Sequence, residues 1–415
     1  MVGAMTTRIP RIIDGLLAEL LQELPAVMIV GPRAIGKTTT AVDQAATVVR
    51  LDREAEAAAV RADPDVVLAS LKLPALIDEW QRVPEVLDAV KRAVDHDFSP
   101  GSWILTGSVR ADLLDASRAA TGRIVRLRQW GLTQRELEGR VRQPSFFERI
   151  RFESPGFGSA AGCDLADYVS MTLRSGFPEA LGLSERARRH WLDGYIDQTV
   201  RRDAEDLGED RDPVALRRYL VALAANTAGV PSDKTLYDAA GISRVTAHSY
   251  ERVLEMLFVT SRVPAWHSNR LKRLIKSPKR VLVEPAMIAP LLGVEQSVVL
   301  RDGDLLGRMI ESFVFAQLRA ETTLISGEVT LHHLRTDDGR REIDVIAEYP
   351  DGRVVAIEIK ATSSPALRDA RHLDWLAHRL GDRLIAGIVF HTGPHAFELN
   401  GRVRALPLSA IWSAT

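Results

Sequence analysis

An apolar run, Val27-Met28-Ile29-Val30, passes straight into Gly31-Pro32-Arg33-Ala34-Ile35-Gly36-Lys37-Thr38, which satisfies G-x-x-x-x-G-K-[ST] at every fixed position. A strand that feeds a glycine-rich loop and then a helix belongs to a parallel sheet covered by helices. Gly31 and Gly36 let the loop backbone close on phosphate oxygens without Cβ clashes. Amides at the start of the Lys37 helix point at the anion. Lys37 is expected to reach the β- and γ-phosphates, and the Thr38 hydroxyl to complete magnesium coordination. The ligands expected are ATP and Mg²⁺, held by residues Gly31 to Thr38 together with Thr39.

Such a loop needs a further carboxylate to hold the metal through its water shell. Pro74-Ala75-Leu76-Ile77-Asp78-Glu79 is an apolar strand ending in two acids. Asp78 is expected to serve the metal, and Glu79 to orient or deprotonate the attacking water; the plainer reading is an acidic pair solvating a strand end. Ile104-Leu105-Thr106-Gly107-Ser108 is another strand ending in small polar residues. Thr106 or Ser108 is placed to sense the γ-phosphate, unless this is an ordinary turn. Arg123, after Gly122, is a candidate arginine finger toward a neighbouring subunit, which implies a homo-oligomer; otherwise it is a surface arginine.

At 415 residues the chain calls for two or three domains. Apolar content of 46% and charged content of 26% are those of a globular protein. Apolar runs such as Pro25–Val30 are too short for a membrane span, and Met1–Ile13 lacks a secretory signal's apolar core. Cys163 is the only cysteine. A disulfide within the chain and thiolate zinc sites are therefore excluded, which suits a cytoplasmic location with no membrane partner. Three domains are expected, over 1–152, 163–285 and 286–415, with the Ser/Pro/Gly-rich stretch Ser154–Gly162 as the first linker. Strands are expected at Ala26–Val30, Ala75–Asp78 and Ser102–Thr106, with helices Lys37–Ala46 and Val83–Val94. Helical periodicity dominates from Asp167 to about Leu257. Strands then return at Thr330–Leu334, Glu342–Glu348, Val354–Ile359 and Ile385–Phe390, with helices Leu306–Glu321 and Ala366–Leu380.

The loop, Leu76-Ile77-Asp78-Glu79-x-Gln81-Arg82-Val83-Pro84, Leu105-Thr106-Gly107-Ser108 and Gly122-Arg123 together resemble one family. It is the bacterial and archaeal AAA-type P-loop ATPases that carry a C-terminal domain of unknown function. The likeness continues through Ser175-Gly176-Phe177-Pro178-Glu179, Trp191-Leu192-x-x-Tyr195, Arg202-Asp203, Lys276-Ser277-Pro278-Lys279 and Glu358-x-Lys360, and so covers nearly the whole chain. Trp80, Ser175 and Glu284-Pro285-Ala286-Met287 depart from the family's usual residues. The fold class implied is α/β: an N-terminal P-loop AAA-type ATPase domain, a central helical and winged-helix domain, and a C-terminal α/β restriction-endonuclease-like domain.

The residues can be read beside that implication. Leu236 to Thr246 reads as a helix, a tight turn at Gly241, and a second helix capped by Ser243. Arg244, His248 and Arg252 fall on the exposed face, with Val245, Tyr250, Val253, Leu254 and Leu257 available to pack inward. Met256 to Val283 holds no acidic residue but carries Arg262, Arg270, Lys272, Arg273, Lys276, Lys279 and Arg280. In a chain of net charge −1, such a stretch is expected to form a local phosphate-binding surface for DNA. The alternative is a solvated wing that meets acidic protein patches.

Farther on, Glu358 and Lys360 lie two apart, hence on one face of a strand, and Asp344 can lie beside them on the neighbouring strand. Glu311 matches the helical acid of many PD-(D/E)xK nucleases. Glu311, Asp344 and Glu358 are candidate ligands for a second divalent metal, and Asp344, Glu358 and Lys360 the candidate catalytic set. The plain alternative is an ion-paired cluster. The expected function is an ATPase that binds and processes or remodels DNA, as a translocase on branched or duplex DNA or a metal-dependent nuclease. The rival is a nucleotide-gated switch that binds DNA or a protein and has an inactive nuclease-like domain.

Overall fold

The computed structural model describes residues 8–108, 122–152, 162–203, 212–269, 276–325, 329–336 and 339–413. The chain packs as two compact units, the first made of Met1–Leu132, Phe177–Glu179 and Leu254–Val259, the second of the rest. Arg270, Lys272, Arg273 and all of the expected linker but Gly162 lie outside the described residues.

In the first unit, strands β1 (Ala26–Val30), β2 (Thr47–Arg50), β3 (Ala75–Asp78), β4 (Trp103–Gly107) and β5 (Val125–Arg128) form one sheet in the order β2-β3-β4-β1-β5. Every pairing is parallel. All five residues of β1 are buried, as expected of a central parallel strand covered on both faces. Helix Val86–His96 buries Val86, Leu87, Ala89, Val90 and Val94, a helical spacing, in a core that includes the buried ring of Trp80. Gly107 makes room for that ring: a Cβ there would lie 2.3 Å from Trp80 Nε1. The expected helix Lys37–Ala46 ends at Val42. Beyond it, Ala46 and Thr47 donate their amides to Pro74 O, which draws the chain into β2 instead.

In the second unit, helices Pro213–Ala225, Asp233–Ala240 and Arg244–Met256 are followed by an antiparallel pair, β6 (Thr260–Val263) and β7 (Lys279–Leu282). The last few residues of the third helix are counted with the first unit. Gly241 closes helix Asp233–Ala240 in the left-handed conformation at φ 64°, and Ser243 Oγ accepts from Thr246 N at 3.1 Å to start the next. Ala247, Tyr250, Val253 and Leu254 pack inward, whereas Val245 is 81% exposed. Val245 thus corrects the sequence expectation. At about 100° per residue it lies roughly 200° from Ala247, outside the apolar arc.

Beyond the long helix Gly303–Leu324 come β8 (Thr330–Arg335), β9 (Glu342–Glu348), β10 (Val354–Ile359), β11 (Leu384–His391), β12 (Phe397–Asn400) and β13 (Val403–Pro407). They form a mixed sheet in the order β12-β13-β11-β10-β9-β8. The strands β8, β9 and β10 pair antiparallel; β10 and β11 pair parallel, with helix Arg371–Leu380 in their connection. Helix Gly303–Leu324 is anchored by a buried two-pronged ion pair, Arg135 Nε to Glu321 Oε1 at 2.6 Å and Nη2 to Oε2 at 3.0 Å. Among the described residues, no helix is long and apolar enough to cross a membrane.

Candidate functional site

The carboxyl ends of parallel strands are where an open α/β sheet receives its ligand, and β1, β3 and β4 bring the predicted residues together there. Gly31 follows β1 and passes close to the backbone just beyond β5: a Cβ would stand 2.1 Å from Gln129 O. Gly36 sits at φ 86°, a left-handed conformation that glycine adopts without strain, and turns the chain into helix Lys37–Val42. The loop is braced from below, since Arg11 Nη1 and Gln129 Nε2 donate to Ile35 O at 2.6 and 3.1 Å. Neither brace was visible in the sequence, because each comes from a segment remote from the motif.

Lys37 is buried, and its ammonium folds back onto Gly31 O at 3.0 Å and Pro32 O at 2.6 Å. Burial lowers its pKa to about 8, against the opposing pull of Glu79 and Asp78. An ammonium so placed is short of negative charge, which a phosphate supplies. Thr38 Oγ1 donates to Asp78 Oδ1 at 2.8 Å, and Thr106 Oγ1 donates to the same oxygen. Register places Thr106 beside Ile29, one residue from the start of the strand-to-loop transition. Two hydroxyls focused on one carboxylate make a set of hard oxygens suited to Mg²⁺ and its water shell. These residues fit the ion: Thr38 would hold it, Asp78 would hold its waters, and its charge would serve the phosphates.

Glu79 takes a left-handed backbone, φ 57°, rare for a residue with a side chain and common where function sets the geometry. Gln81 Nε2 donates both to Glu79 Oε2 and to Ser108 Oγ, the latter at 3.1 Å, so Gln81 aims the acid. A cavity of about 610 Å³ opens here, lined in part by Arg33, Thr38, Thr39, Asp78, Glu79 and Arg82. Gln81 and Arg82 were legible only as part of a motif, with no role attached. The candidate finger Arg123 pairs with Asp95 at 2.7 Å on the surface.

In the second unit, Glu311, Asp344, Glu358 and Lys360 do converge. Lys360 Nζ donates to Glu358 Oε2 at 3.0 Å, and Asp344 Oδ2 accepts from Ile359 N at 2.8 Å. The cluster holds a further cation, however. The buried Lys279 ion-pairs with Glu311 and stands 3.7 Å from Asp344 Oδ1. Burial still holds the carboxyls of Glu311 and Glu358 well above the usual range, with Asp344 adding to both and the lysines opposing. Among the described residues, no group of three or more His, Cys, Asp and Glu side chains is arranged to hold a metal ion.

Lys279 and Arg280 therefore correct the expected DNA surface. Both are buried, and Arg280 pairs with Glu251 and Asp233, each at 2.6 Å. Opposed acids from other segments neutralise them, so neither faces a phosphate. Arg244, His248, Arg252 and Arg262 are exposed and Lys276 half-buried, consistent with solvent-facing roles.

Comparison with known proteins bears on these sites. Residues 23–138 match a family described as an AAA domain, residues 165–298 a domain of unknown function, DUF8612, and residues 306–411 another, DUF4143. Two relatives, the uncharacterized proteins Mb2031c of Mycobacterium bovis and Rv2008c of Mycobacterium tuberculosis, are each 29% identical over 401 residues, covering 95% of this chain and 82% of theirs. A Walker-type ATPase of Pyrococcus abyssi, PABY2304, aligns in structure over 67% of this chain and 94% of its own at a TM-score of 0.42 and 14% identity. With the loop geometry above, the match over 23–138 makes the N-terminal region a P-loop domain of the AAA type.

Proposed function

We propose that this chain binds and hydrolyses ATP with Mg²⁺, and uses the nucleotide state to gate DNA binding, with a C-terminal nuclease-like domain that does not cut. The carrying observation for the first part is the focus of Thr38 and Thr106 on Asp78 Oδ1 beside a buried Lys37. The residues divide the work. Lys37 and the loop amides hold the β- and γ-phosphates, Glu79 takes the proton of the attacking water, and Gln81 and Ser108 keep Glu79 aimed. Replacing Glu79 by Gln should leave ATP bound and lower turnover by about 10²–10⁴-fold. Turnover near wild type would remove Glu79 from the role.

A non-cutting domain is favoured over a nuclease by Lys279, whose ammonium holds two of the three acids a metal would need. Isothermal titration with Mn²⁺ tests this: no binding attributable to Asp344, and no metal-dependent cleavage of duplex or branched DNA, are expected. Cleavage abolished in Asp344→Ala would restore the nuclease reading. The same proposal takes residues 1–152, 163–285 and 286–415 as an ATPase domain, a winged-helix domain and a nuclease-like domain. It places the exposed Arg244, His248, Arg252 and Arg262 toward DNA, and the protein in the cytoplasm. Arg123 would act between copies, with its Asp95 pair exchanged for a γ-phosphate; sedimentation with and without ATP reads the oligomer.

A further inference from the structure

The sheet of the second unit carries a cationic cleft that no charge run in the sequence announces. Arg340 and Arg341 enter it from the start of β9; Arg371, His372, Trp375 and Arg379 enter from helix Arg371–Leu380. On that helix 371, 375 and 379 are four apart, so they line one face. The cleft measures about 720 Å³. We propose that it binds the phosphodiester backbone of a single-stranded nucleic acid.

Three observations carry this. First, Trp375 gathers two of the arginines, with Arg341 Cζ 5.6 Å and Arg379 Cζ 5.5 Å from its ring centroid. A guanidinium held over an aromatic face by the ring's quadrupole keeps N–H donors that can fork onto phosphate oxygens. Second, among the described residues none of Arg341, Arg371 and Arg379 is in an ion pair with a carboxylate, and no described lining residue is acidic. (Asp337 and Asp338 lie outside the described residues.) Third, His372 is fixed by hydrogen bonds at both ring nitrogens. Its Nδ1 stands 2.6 Å from Glu342 O while Nε2 accepts from Arg371 Nε at 3.0 Å, and burial together with Arg371 and Arg341 lowers its pKa. The ring therefore presents a flat wall to the cleft, and it leads to Glu358, 3.6 Å from Nδ1.

The occupant follows from the chemistry. Guanidiniums in a row with aromatic rings between them are how sequence-tolerant single-strand sites track a backbone and seat bases. The wing, by contrast, loses Lys279 and Arg280 to internal acids. This inference rests on the DNA-binding part of the proposed function and is independent of ATP turnover.

The test is fluorescence anisotropy of a labelled oligothymidylate on the full chain, with the circular dichroism spectrum and both melting transitions of each variant as the check on folding. Arg341→Ala/Arg379→Ala should weaken binding by tenfold or more and reduce the salt slope by about 0.7 for each phosphate that is no longer neutralised. Trp375 also packs against the core, so Trp375→Phe serves as the gentler variant, with a smaller effect. Unchanged affinity and slope in the double variant, together with weakened binding in Arg244→Ala/Arg262→Ala, would overturn the cleft and leave DNA binding to the third helix and wing. Equal competition by polyglutamate would reassign the cleft to an acidic peptide. Wild-type protein that hydrolyses ATP but binds no oligonucleotide would overturn both the cleft and the DNA reading.

Discussion

Lys37 reaches two loop carbonyls and nothing better, so its ammonium is poorly compensated for burial until a phosphate arrives. Lys37→Ala is predicted to weaken ATP binding by about a hundredfold or more, since a buried charged hydrogen bond is worth about 1.5–3 kcal/mol and two phosphates share this one. Equilibrium titration with a fluorescent ATP analogue measures it. Gln81 makes a subtler prediction. Its amide joins Glu79 to Ser108, and it touches neither phosphate-loop backbone nor metal oxygen. Gln81→Ala should therefore lower kcat roughly tenfold with KM little changed, because it frees the base without removing binding interactions. A rise in KM at constant kcat would instead make Gln81 a binding residue. At this scale the sequence was readable where interactions are local, as in Gly31 to Thr38. It was silent where they are not: Arg11 and Gln129 brace the loop from 24 and 94 residues away.

Strand β7 shows why a charge run misleads. All four of its residues are buried, and adjacent side chains on a strand leave by opposite faces. Lys279 meets Glu311 and Asp344, while Arg280 meets Glu251 and Asp233. The partners come from other elements, so a stretch without acids in sequence is not without acids in space. The cleft is the converse, assembled from residues 340–341 and 371–379, which are separated by two strands' worth of chain with its own acids. Just beyond β7, Glu284 caps the turn Pro285–Met287 through Ala286 N at 3.1 Å and accepts from Gly176 N at 3.0 Å. Burial raises its pKa to about 7 from an ordinary 4.5, with those two amides opposing. A raised acid pKa means the folded chain keeps a proton that the unfolded chain releases between those pH values. Its stabilising contribution is full below about pH 4.5 and is lost as pH rises through 7. Between pH 5 and pH 8 wild type should lose about 2–3 kcal/mol that Glu284→Gln does not, at 1.36 kcal/mol per pKa unit. Urea titrations at the two pH values compare them, and equal slopes in both proteins would return Glu284 to an ordinary carboxylate.

Two compact units make a single melting temperature an incomplete description of the whole molecule. The P-loop, Asp78, Glu79 and Thr106 all belong to the first unit, so ligand that binds there stabilises that unit by mass action alone. At a concentration of Mg·ATP one hundred times its Kd the gain is about 2.7 kcal/mol. For a unit of this size that is a rise in midpoint of several degrees, roughly 4–8 °C per kcal/mol in a 60–100-residue domain and less in a larger one. The prediction is two calorimetric transitions, of which the first unit's rises with Mg·ATP by occupancy. The rise should vanish in Lys37→Ala and persist in Glu79→Gln, because the first variant loses the ligand and the second loses only turnover. A nucleotide-gated switch adds a further requirement: the second transition must also respond, through coupling energy and not through occupancy, which typically amounts to about 1–3 kcal/mol. A second transition indifferent to nucleotide, in protein that hydrolyses ATP normally, would leave the ATPase reading standing and take the gate away. By reciprocity, the same coupling should appear as oligonucleotide affinity that changes about 5–150-fold between the ATP-trapped Glu79→Gln protein and the nucleotide-free one.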